Sequence, residues 1–188
     1  MAWGKAGTGT GSGDDFDTGV FTASKFIQVL YHFEATGGDI NAQNRVGSTT
    51  IDSGTNYAWR YSTNGTADAT SPSRDYMYES SATSNTGESG FKVLYIGNIA
   101  SEEKLIIGFS IDQVATGAGT APNRMEFTHK WANTSNQIDI VGGHNSSGAG
   151  DFTTDSNITV LGSDITPAAA IPFAENAQVG SRAEITDT

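Results

Sequence analysis

A chain of 188 residues without cysteine is long enough for one domain with a full hydrophobic core, and it excludes disulfide stapling, thiolate metal sites and thiol catalysis. Its formal net charge of -11, from 10 Lys plus Arg against 21 Asp plus Glu, leaves no basic patch for nucleic acid and repels an anionic membrane surface. Charged residues are only 16% of the chain, so the polar surface is built from Gly, Ser, Thr, Asn and Asp, which favour turns and extended edges over helix. No run approaches transmembrane length, and the first residues read without the apolar core of a signal peptide.

Trp3 precedes a Gly/Thr-rich stretch over 7–13 that reads as flexible. An aromatic at so polar a terminus is a candidate for docking on a core edge or a partner subunit. The stretch lacks the Lys-[Ser/Thr] ending of a phosphate loop. Asp14, Asp15 and Asp17 then lead into a short edge strand around Val20 and Phe21.

Residues 25–33 form the first strong strand. Ile27, Val29, Tyr31 and Phe33 share one parity, but Phe26 and Leu30 on the other are also apolar. Such a strand is expected to be central or covered on both sides. Residues 39–46 predict a polar strand with Ile40, Ala42 and Val46 inward and Asn41, Gln43 and Arg45 outward. Residues 56–61 alternate sharply, placing Tyr57, Trp59 and Tyr61 on one face. A short strand is expected over 74–79.

Two apolar runs, 91–96 and 104–112, predict the centre of the fold. In the second, Leu105, Ile107, Phe109 and Ile111 are expected to face the core, with Lys104, Gly108, Ser110 and Asp112 opposite. Residues 124–131 alternate again, and shorter strands follow at 137–141 and 157–162. Nine or ten short strands with turn signals between them predict an all-β fold, an antiparallel, jelly-roll-like β-sandwich over residues 1–162. Residues 163–188 lose this periodicity and read as an extended arm or linker. Ile171, Phe173 and Ile185 are its candidate assembly contacts, together with Trp3.

Catalytic patterns are missing from the sequence. His32, His129 and His144 show no metal-ligand spacing, and no serine sits in a nucleophile elbow. Asp75 and Glu79 share a parity but stand roughly 13 Å apart along a strand, too far for a glycosidase pair. The expectation is a protein that is not an enzyme and needs no cofactor. The one candidate metal group is Asp14, Asp15 and Asp17, whose carboxylates in a turn suit calcium. The stripe of Tyr57, Trp59 and Tyr61 reads first as core and second as a glycan-binding platform.

Several segments carry a resemblance. They are GTNYAWRYS at 54–62 with Asn64-Gly65 and Ala67-Asp68, NIASEEKL at 98–105, GAGTAPNR at 117–124, KWANTSNQI at 130–138 and NITVLG at 157–162. Together they resemble segments of poorly characterised β-sandwich structural proteins of tailed bacteriophages and related marine viruses. The closing SRAEITDT at 181–188 resembles the join between such a module and a following segment, as in a fragment of a longer protein. The resemblance implies a virion structural protein, a capsid decoration, vertex or fibre-associated component. Its implied partners are other virion proteins and copies of itself. The alternatives are a fibre module that binds a host-surface glycan and, behind it, a glycan-cleaving enzyme.

Overall fold

A computed structural model describes residues 3–79 and 88–163. Among the described residues there are thirteen strands and no helix. In chain order they are β1 (Trp3–Thr10), β2 (Asp15–Asp17), β3 (Phe26–Thr36), β4 (Ala42–Ser48), β5 (Thr50–Ile51), β6 (Tyr57–Thr63), β7 (Ala69–Arg74), β8 (Ser89–Gly97), β9 (Lys104–Asp112), β10 (Asn123–Trp131), β11 (Ile140–Asn145), β12 (Asp151–Phe152) and β13 (Asn157–Ser163). The large sheet runs β1-β13-β3-β8-β9-β10-β6-β7, with β12 also paired to β3. The small sheet runs β2-β11-β4-β5. Every ladder is antiparallel, so the chain is the all-β antiparallel sandwich that its alternating segments predict. The pieces too short to show a period, β2, β5 and β12, are the excess over ten longer strands.

The core lies between the sheets. Ile27, Val29, Tyr31, Phe33, Leu94 and Ile106 project from the large sheet towards Ala42, Val46, Val141 and Phe152. Aromatic edges knit it: Tyr31 meets Phe16 and Phe33 with ring centroids 5.6 Å apart in each pair, and Phe16 meets Phe152 at 5.3 Å. Such edge-on contacts add to the burial of the rings themselves.

Three expectations are corrected. The glycine-rich start is strand β1, paired along β13 from Trp3↔Ser163 to Thr10↔Asn157. Its glycines are there for close approach: a Cβ on Gly9 would lie 2.1 Å from the carbonyl oxygen of Asp17. Second, residues 74–79 form no strand beyond the isolated bridge Asn44↔Met77, and Gln43 of β4 is buried, not outward.

The third correction concerns β9. Lys104, Ile106, Ser110 and Asp112 are buried, while Leu105, Ile107, Phe109 and Ile111 are 65%, 57%, 57% and 48% exposed. The neighbours decide this parity. Cross-strand partners share a face, and Ile106 pairs with Ile96 and His129, Gly108 with Leu94 and Phe127. Those partners all point inward. Gly108 gives the Phe127 ring its place, because a Cβ there would stand 2.4 Å from it. A slip of one residue would flip every side chain and lose these contacts together.

Candidate functional site

The outward parity of β8 and β9 forms an apolar strip. Phe91, Tyr95, Leu105, Ile107, Phe109 and Ile111 are all exposed and lie on adjacent strands. At one end the strip continues through Phe26 to Trp3, which share a shallow depression with Tyr95 and Leu105. Trp3, singled out from sequence, therefore stands on this face. The strip has polar margins. On β10 the outward residues are Arg124, Glu126, Thr128 and Lys130, with Lys130 Nζ 2.8 Å from Glu103 and Arg124 3.8 Å from Glu126. On β6, Arg60 pairs with Asp68 at 3.0 Å. On β3, Gln28 donates to the Tyr95 hydroxyl and His32 lies against the Asp155 carbonyl. An apolar centre with a polar, charge-paired rim is the anatomy of a protein interface.

The other sequence-predicted residues are dispersed. Tyr57 is a core residue whose hydroxyl donates to the Val46 carbonyl at 2.7 Å and accepts from the Val46 amide at 3.0 Å. Burial raises its pKa strongly. Trp59 and Tyr61 are half-buried and stack with Tyr78, with the Arg74 guanidinium over the indole. Asp14 accepts from Asn145, Asp15 lies 2.7 Å from His144 Nδ1, and Asp17 accepts from the Gly19 amide. These carboxylates serve three separate local contacts. Among the described residues no group of three or more His, Asp or Glu is gathered as cation ligands. Asp75 pairs with Arg45 at 2.8 Å, whereas Glu79 is buried, so the two carboxylates do not face one cleft. Ile171, Phe173 and Ile185 lie outside the described residues.

Sequence reasoning missed a polar cluster inside the sandwich. Lys92 on β8, Glu79 and His129 on β10 are all buried. Lys92 Nζ donates to the Ala42 carbonyl at 2.6 Å and to Glu79 Oε2 at 2.8 Å, with the Tyr31 ring centroid 4.5 Å away. Burial raises the Glu79 carboxyl to about 7 despite the ammonium beside it, and lowers Lys92. His129 falls to about 3, from burial first and from Lys92 second. The signal was present in the alternation: Lys92 and His129 stand on inward parities between apolar neighbours.

No family model, no curated protein and no solved structure matches this chain.

Proposed function

We propose that this protein is a structural subunit of a virus particle, working by protein–protein assembly, and that it buries the outer face of its large sheet against another copy of itself. The observation that carries the reading is the exposed apolar parity of β9. Four large aliphatic or aromatic side chains in one strand are kept in water by a register that puts Lys104 and Asp112 inside.

Size and charge support a second copy as the occupant. Strands about 4.8 Å apart and nine residues long make the eight-strand face on the order of 1,000 Å². A stable interface takes about 800 Å² from each partner. The margins hold Arg60, Arg124 and Lys130 against Asp68, Glu103 and Glu126, a balanced set on a chain of net charge -11. Two copies approaching through this face do not meet like charge with like. The virion assignment adds the segment resemblance to this geometry, and it makes capsid decoration, vertex or fibre the setting.

Light scattering on the purified chain tests assembly. The wild type is expected as a multimer at micromolar concentration and Ile107→Glu as a monomer. A monomeric wild type at every concentration overturns the reading. Antibody labelling of purified particles tests the setting, and its absence from them removes the virion assignment.

A second reading, a glycan-binding module, is favoured by the Trp59, Tyr61 and Tyr78 cluster with Arg74 above it. Glycan-array binding that vanishes in Trp59→Ala would support it, and an array without signal would remove it.

A further inference from the structure

The buried cluster at Lys92 holds a reactive pair. Lys92 Nζ and Glu79 Oε2 are 2.8 Å apart, and both side chains are fully excluded from solvent. Each partner is held by bonds that do not depend on the other. Lys92 is in the middle of β8, between β3 and β9. Glu79 is held by its amide, which donates to Gln43 Oε1 at 2.6 Å, and by the Met77 amide, which donates to the Asn44 carbonyl at 2.9 Å. The Tyr31 and Phe33 rings wall the amine, with centroids 4.5 and 5.5 Å from Nζ. The second carboxyl oxygen, Oε1, has no hydrogen-bond partner among the described residues and lies 3.7 Å from His129 Nε2. His129 stacks flat on Phe127, and neither of its ring nitrogens has a partner among the described residues.

We propose that Lys92 and Glu79 become joined by an amide bond formed inside the folded chain. The Nζ lone pair attacks Glu79 Cδ and a C–N bond forms. The proton shed by nitrogen passes through the His129 imidazole to Oε1. The Cδ–Oε1 bond then breaks and one water leaves. Amine plus carboxylic acid becomes amide plus water, with no oxidant, reductant or cofactor.

The site suits each requirement of that step. A neutral amine is the nucleophile and a protonated carboxyl the electrophile, and burial moves both groups towards those forms. Contact between two groups held by the fold replaces an encounter in solution, which is worth effective concentrations of about 10⁵ M or more in well-oriented cases. Excluding water favours condensation over hydrolysis. The product removes two charges from an apolar interior, where an ion pair recovers little of its desolvation. This inference stands on the interior alone and is independent of the assembly reading.

Mass spectrometry of the intact, denatured full-length chain decides it. The expected mass is about 18 Da, one water, below that of the unmodified chain. Trypsin should leave residues 75–104 as one fragment carrying that deficit, uncut after Lys92. Lys92→Met should show its full mass. Glu79→Gln should lose about 17 Da by releasing ammonia, giving the same bond. A wild-type chain of full mass, normal cleavage after Lys92, or a deficit in any other fragment overturns the proposal.

Discussion

The two faces of β8 and β9 reverse the usual division between inside and outside. Inward stand Lys92, Lys104, Ser110 and Asp112; outward stand Phe91, Tyr95, Leu105, Ile107, Phe109 and Ile111. The inner polar groups are largely provided for by the fold. Lys104 Nζ donates to the carbonyls of Ala100, Glu102 and Asn133 at 3.3, 2.6 and 2.7 Å, and Asp112 accepts from Asn123. The outer apolar groups have no such provision. Folding of one chain thus satisfies the polar face, and the apolar face is left for a neighbour. Buried polar groups with fixed partners specify register rather than add stability, and here they hold the apolar residues outward.

The sharpest way to break this comparison is to remove a polar group from the inner face. Lys92→Met leaves Glu79 buried without its partner and should cost about 3–5 kcal/mol in denaturant unfolding. The double change with Glu79→Leu should recover most of that loss. A small effect of Lys92→Met would mean that the inner polar groups do not hold the register.

Acid supplies the next test. His129 is neutral in the fold at about 3, while the unfolded chain takes up its proton near 6.5. Below pH 6.5 the unfolded state binds the extra proton, so stability falls as pH drops from about 6.5 to about 3. The loss is on the order of 4 kcal/mol at the lower end. His129→Phe, which keeps the stack on Phe127, should flatten that part of the stability curve relative to wild type. Equal slopes for the two proteins would contradict a buried neutral imidazole.

Adjacent residues of β9 give a direct reading of parity. Ile106→Ala should cost about 2–4 kcal/mol. Ile107→Ala, measured at dilution where the chain is monomeric, should change stability by less than about 0.5 kcal/mol. The reverse order would place Leu105, Ile107, Phe109 and Ile111 in the core after all.

What was legible in the sequence follows the same physics. Strand β3 was legible because bulky and branched residues sit on both parities, and it is central, flanked by β13 and β8. In β9 the alternation was legible and its direction was not. Hydropathy reads apolar residues as core whether they wait for the core or for a partner, and only the cross-strand partners of Ile106 and Gly108 resolve the two. Strand β1 was hidden because glycines that admit the Asp17 backbone look like a flexible linker. Asp14, Asp15 and Asp17 are neighbours in the chain, yet Asn145, His144 and the Gly19 amide engage them separately. Glu79, weighed as half of a catalytic pair, is the partner of Lys92, a relation no linear spacing announces.

Strand β13 lies between β1 and β3 in the large sheet. Those neighbours are made first and early; β13 is the last strand of the sandwich to be synthesised. The ladder from β3 through β8, β9, β10 and β6 can close as soon as residue 131 is available. Its β3 edge then stays unpaired along 27–32 until residues 157–162 have cleared the ribosome. An open edge of that kind is a template for pairing with other chains. The segment that leaves the ribosome first, β1, has no partner in the large sheet until that final strand is seated, so the beginning and end of the sandwich fold in one late event.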